Sequence, residues 1–150
     1  MKRKLISLSM LVLLAGCQKE GVVNQQAICT YENEDVKAET IFEHDGKNVI
    51  MQTNHNQIEL EKVEISKEEL EATAMIASEI YRPLSGVTYY YEIDDTYFNE
   101  TLIIDFDKAS LIELADIGLV RNMKEEVTSI SIEATINSNR EMGMTCSEGQ

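Results

Sequence analysis

The strongest constraint on the fold is the stretch from Val87 to Phe106. Val87-Thr88-Tyr89-Tyr90-Tyr91-Glu92-Ile93 and Thr96-Tyr97-Phe98-Asn99-Glu100-Thr101-Leu102-Ile103-Ile104-Asp105-Phe106 flank Asp94-Asp95. β-Branched and aromatic residues alternating about a short polar break predict two antiparallel strands. A turn at Asp94-Asp95 places Val87, Tyr91, Phe98, Leu102, Ile104 and Phe106 on one face, with Tyr89 beside Glu100. Tyr90 and Tyr97 then point to the opposite face. The turn lacks glycine, so a longer loop is also compatible.

The other segments fit around this pair. Residues 27–32 alternate and predict a first strand. Residues 36–44 and 47–54 flank Asp45-Gly46, a strong short hairpin signal. A two-residue loop there sets Phe42 opposite Val49 and Thr40 opposite Met51 on one face, with Ile41 opposite Ile50 and Glu39 opposite Gln52 on the other. Ser66-Lys67-Glu68-Glu69 is a capping box. It opens a helix whose apolar stripe is Leu70, Ala74, Ala77, Ile80 and Tyr81, closed by Pro83 and Gly86. Asp107 is the expected cap of a helix through Leu111, Leu114 and Ala115 that ends near Gly118. After a looser stretch at 119–128, Ser131 caps a helix over 131–141, Gly143 stops it, and Met144–Cys146 returns as a strand. The order predicts an α+β domain: an antiparallel sheet of two hairpins plus terminal strands, covered by two or three helices.

The N-terminus is a different kind of sequence. Lys2-Arg3-Lys4 precedes an apolar run of 11 residues, Leu5 to Ala15. That run falls short of the roughly 20 residues that span a bilayer. It closes on Leu14-Ala15-Gly16-Cys17, the lipobox pattern. Cleavage between Gly16 and Cys17 would leave Cys17 as a lipidated first residue. Residues 1–16 are thus expected to be a cleaved signal peptide, 17–26 a lipidated tether, and 27–150 one domain. The expected covalent group is a diacylglycerol on Cys17, with an N-acyl chain where the host adds one. Two or three acyl chains hold a membrane stably, at about 0.8 kcal/mol per buried methylene. The 150 residues less these 16 leave 134, the size of one domain. The net charge of −14 becomes about −17 once three basic leader residues are gone. So acidic a chain is repelled by nucleic acid. The membrane, an envelope protein or a small ligand remain as partners.

Cys29 and Cys146 are the remaining cysteines, 117 positions apart at the two ends of the domain. In an oxidising compartment such a pair is expected to form a disulfide. Two free thiols are the plainer alternative, and the redox alternative lacks the close C-x-x-C spacing.

Gly86-Val87-Thr88-Tyr89-Tyr90-Tyr91, Glu100-Thr101-Leu102-Ile103-Ile104-Asp105-Phe106, Lys108-Ala109 and Glu113-Leu114 resemble the central block of YehR-like bacterial lipoproteins. The resemblance extends to the Asp45-Gly46 hairpin, Gly143 and Cys146. It implies a small α+β lipoprotein domain without an assigned activity, and it brings no catalytic residue.

No motif carries obvious chemistry. His44 and His55 are expected on exposed strand positions, with His55 opposite Val36 and roughly 26 Å from His44, too far to share a zinc ion. Asp94-Asp95 and Asp105-x-Asp107 offer oxygen ligands, but a turn and a helix cap account for them more simply. Tyr90 and Tyr97 are a candidate binding patch, against the ordinary strand preference of tyrosine. No catalytic residue, metal ligand or cofactor is assigned. The expectation is a membrane-anchored extracytoplasmic lipoprotein that binds or supports rather than catalyses. The alternatives are a carboxylate-dependent envelope hydrolase and a weak cation binder.

Overall fold

The computed structural model describes residues 25–120 and 127–149. Its centre is one six-stranded antiparallel sheet in the order β4-β5-β3-β2-β1-β6. The strands are β1 (Gln25–Glu32), β2 (Val36–His44), β3 (Val49–Glu59), β4 (Val87–Ile93), β5 (Tyr97–Asp105) and β6 (Thr145–Glu148). Three helices accompany it: α1 (Lys67–Tyr81), α2 (Leu111–Asp116) and α3 (Ile132–Glu141). This is the expected α+β class. Gln25 and Gln26, assigned above to the tether, are paired in β1 against His44 and Glu43. Signal and lipobox residues 1–17, and the middle of the 119–128 stretch, lie outside the described residues.

The first hairpin turns through four residues, 45–48, and the second through three, 94–96, rather than two, for one shared reason. In the first, the Asp45 carboxylate accepts the amides of Lys47 (2.8 Å) and Asn48 (2.6 Å), while the Asp45 amide donates to the Asn48 carbonyl. In the second, Asp94 accepts from the amides of Thr96 and Tyr97, both at 2.7 Å, and its own amide donates to the Tyr97 carbonyl. An aspartate bonded to the backbone ahead of it makes a wider turn than a two-residue loop. Gly46, at φ +94°, completes the first turn in the left-handed region.

The first turn and a bulge together correct the predicted register: the turn moves the pairing by two positions, and the bulge moves it by one more. Phe42 stands opposite Gln52, Thr40 opposite Asn54 and Glu39 opposite His55, with a bulge at Glu43/His44. An odd shift in pairing moves every side chain of one strand to the other face. Gln52, Asn54 and Asn56 therefore share the face of Thr40 and Phe42, and Met51, Thr53 and His55 take the opposite one. The bulge still brings Val49 into the core with Phe42. In the second hairpin the wider loop leaves the predicted faces intact: Val87 pairs with Ile104, Tyr89 with Leu102, Tyr91 with Glu100 and Ile93 with Phe98.

The helices divide the core in two. Ile132 and Ile136 of α3 pack on Ala27, Cys29, Phe42 and Val49 at the β2-β1-β6 end. Leu70 and Ala74 of α1 pack on Phe98, with Ile58, Tyr89 and Tyr91 around them, at the β4-β5 end. Fully buried side chains such as Phe42 and Ile104 each stabilise the fold by about 1.5–3 kcal/mol through burial.

The capping box of α1 forms as expected, with the Ser66 hydroxyl on the Glu69 amide and the Glu69 carboxylate on the Ser66 amide. Ile80 departs from its predicted stripe: it is 44 % exposed, while Ala77, Ser78 and Tyr81 turn inward. Asp107 does not cap α2. Its amide donates to the Asp105 side chain, residues 105–109 turn on the Asp105 carbonyl, and Ser110 is the cap. Ser131 caps α3 and Gly143 ends it at φ +90°, as expected.

Candidate functional site

Among the described residues, two helices on two separated core clusters leave the middle of their sheet face uncovered between them. The floor of this groove is β3, whose Gln52, Asn54 and Asn56 alternate onto it because strand side chains repeat with period two. Two adjoining cavities share Thr40 and Asn54. One, of 370 Å³, is bounded by Asn56, Glu100 and Leu102 on the sheet, Ala77 and Tyr81 on α1, Tyr89 on β4, and Met144 before β6. The other, of 500 Å³, runs past Gln52 and Phe42 along α3 as far as Met142, with Leu119, Val120 and Val127 beside it. Both volumes lie in the range of about 300–1,000 Å³ that small-molecule sites occupy.

The polar floor is a network. Gln52 Nε2 donates to Asn54 Oδ1 at 3.0 Å. Asn56 Nδ2 donates to Glu100 Oε1 at 2.9 Å, and the Tyr89 hydroxyl donates to Glu100 Oε2 at 2.8 Å. Burial, and then the bond to Glu100, raise the Tyr89 phenol far above its ordinary value. Burial also raises Tyr81, with Glu100 adding to it. Both phenols are therefore held protonated, and Tyr89 stays a donor. The two rings meet edge to face at 5.4 Å between centroids, which stiffens that wall.

Cys29 and Cys146 stand directly opposite each other in β1 and β6 and are bonded, closing the span of 117 positions. Tyr90 and Tyr97 do lie on the sheet face away from α1 and α3. Tyr90 is half exposed, and Tyr97 is partly covered beside Glu59 and Lys37. Tyr90 pairs with Thr101, four residues from Tyr97, so their backbones are about 13 Å apart. His44 is a correction to the expectation of exposure: it alternates onto the buried face of Thr40 and Phe42, and it is 5 % exposed. Its Nδ1 accepts the Gly46 amide at 3.1 Å, and its Nε2 has no partner among the described residues. His55 is exposed and bonds Thr101 through Nδ1 at 3.0 Å. Paired with Glu39, it is five strand positions from His44, about 17 Å.

The candidate acidic pairs are engaged by the protein itself. Asp94 is held below the usual carboxylate range by the Tyr97 and Thr96 amides, and Asp95 pairs with Lys67 at 3.1 Å. Asp105 is held low mainly by its bond to Lys108. Among the described residues no cluster of three His, Cys, Asp or Glu is placed to hold a metal ion.

The family described as protein of unknown function (DUF1307) matches residues 28–145. The chain belongs to this family. Its fold is that of the Escherichia coli YehR protein, known from an NMR structure: TM-score 0.68 at 19 % identity, covering 84 % of this chain and 92 % of that one. A Streptococcus pneumoniae TIGR4 protein, also solved by NMR, matches at TM-score 0.56 and 14 % identity over 98 % of both chains. Among curated proteins none matches. The YehR-like resemblance is thus borne out for the family and the fold. The groove residues Gln52, Asn54 and Asn56 were missed because a register without the bulge at Glu43/His44 puts them on the wrong face. Their signal was present: three amides at every second position of one strand.

Proposed function

We propose that the chain is an extracytoplasmic, lipid-anchored binding protein that holds its ligand in the groove between α1 and α3 and performs no chemistry on it. The observation that carries the binding reading is the row of strand amides lining an open groove whose floor is otherwise rigidly bonded. Glu100 is the single carboxylate among the described residues lining the two cavities, and both its oxygens accept bonds. A glycoside hydrolase would need a second acid converging on the first. The lipobox Leu14-Ala15-Gly16-Cys17 supports the anchor, and the Cys29–Cys146 bond suits an oxidising compartment.

Radiolabelled palmitate and membrane fractionation test the location. The wild type should take label and sediment with membranes. Cys17→Ser should lose the label and leave the membrane while keeping its domain oxidised and folded. An unlabelled, soluble wild type with free thiols would overturn the reading. Turnover of envelope glycan abolished by Glu100→Gln would overturn its non-catalytic part.

A further inference from the structure

The groove floor offers a pattern of unused hydrogen-bonding groups. Asn56 must point its nitrogen at Glu100, because a carboxylate only accepts, so its carbonyl oxygen stays open. Gln52 and Asn54 share one bond. Whichever way the two amides are turned, that pair keeps one carbonyl and one further amino group uncommitted among the described residues. None of these atoms is a buried orphan, since among the described residues His44 Nε2 alone has that state. They face the groove.

Their spacing is informative. Alternate residues of a strand recur about every 6.8 Å. An extended polypeptide presents an N–H and a C=O together on one side at the same interval. A row of primary amides at that repeat can therefore pair with successive backbone amides of an extended segment, each by two bonds. The walls suit its side chains: Tyr81, Tyr89, Leu102 and Met144 are apolar surfaces on either side of the polar floor. Charge narrows the occupant further. The described lining of the smaller cavity holds a carboxylate and no cation, on a chain of net charge −14, so an anion is disfavoured.

Resting on the reading of this groove as a binding site, we propose that it takes an extended polypeptide segment, uncharged or basic, laid along β3 and read through its backbone amides by Asn54 and Asn56. Specificity is then loose for sequence and strict for an unsubstituted backbone.

The test uses the lipidated protein in nanodiscs, labelled with nitrogen-15. The probes are a pool of blocked octapeptides randomised over Val, Thr, Tyr, Gly and Lys, the same pool N-methylated at every residue so that neither edge keeps an N–H, and neutral chito-oligosaccharides. The peptide pool should shift the side-chain amide resonances of Asn54 and Asn56. Retention of peptides on immobilised protein should fall at least tenfold for Asn54→Ala and for Ala77→Trp, which fills the groove from α1 without touching the floor. N-methylation, which leaves charge unchanged, should abolish retention. Retention that survives N-methylation or Ala77→Trp would overturn the proposal. Saccharide shifting these amides while peptide does not would overturn it but keep the groove as a binding site. No shift with any probe would overturn both.

Discussion

Gly86 is the residue the fold tolerates least in altered form. It sits at φ +73°, and a Cβ there would meet the Asp105 carbonyl oxygen at 2.6 Å and the Ala109 amide nitrogen at 2.7 Å. Its own carbonyl accepts the Asp105 amide at 2.7 Å, so the backbone cannot back away. Gly118, at φ +80°, has nothing within 4 Å of the same point. Gly86→Ala should cost at least about 2 kcal/mol and Gly118→Ala about 1 kcal/mol, read as urea midpoints. Equal losses would show that the close approach is not what matters. Tyr89 makes a second prediction. Its phenol is raised in the folded state, so the stabilisation it brings is complete below the unfolded value near pH 10 and declines as pH rises beyond it. Unfolding free energy should fall above about pH 10 in the wild type, and this component should vanish in Tyr89→Phe. That variant should also lose about 1–2 kcal/mol at neutral pH, because Glu100 Oε2 loses its donor.

Elements here are defined at their ends. Two helix caps were readable as serines, Ser66 and Ser131, and Ser66→Ala should cost about 1 kcal/mol in thermal or urea unfolding. Asp107 misled because the preceding Asp105 gathers that turn to itself, both through its carbonyl and through its carboxylate. The turns carry more consequence. Asp45 lies below the usual carboxylate range because the Asn48 and Lys47 amides bond it, which favours its charged form. Since its folded value is depressed, its contribution is present above about pH 4 and is lost as pH falls through the folded value. Asp45→Asn keeps an acceptor and should preserve the Phe42–Gln52 register. Asp45→Ala removes it and should loosen the β2–β3 hairpin. Amide hydrogen exchange at Lys47 and Asn48 distinguishes the two, and equal protection in both variants would refute the role given to Asp45.

At the scale of the whole molecule, the Cys29–Cys146 bond joins the strand that opens the described domain to the strand that closes it. A loop this long limits the unfolded chain severely, so Cys29→Ala/Cys146→Ala should lose about 2–5 kcal/mol in denaturant titrations. Reduction of the wild type should lose a similar amount, and an unchanged midpoint would deny the bond a structural role. The β6 strand has four residues and one strand neighbour, β1, to which the bond pins it. Much of this architecture could be read from residues alone. Alternation about Asp94 placed Tyr89 next to Glu100 and separated Tyr90 from the core; serine caps located two helices; cysteine spacing implied a clasp. These are local properties, decided by period, cap and turn chemistry within a few positions. The groove was not legible in this way. It depends on where two helices come to rest on one sheet, and on a register that the Asp45 turn shifts by two positions and the bulge at Glu43/His44 by one more. That shift sends Gln52, Asn54 and Asn56 to the helix side. Sequence by itself therefore determined the elements, their order and the α+β class. Only the tertiary structure decided which face of β3 meets the helices, because pairing across a sheet is settled by contacts between residues far apart in the chain.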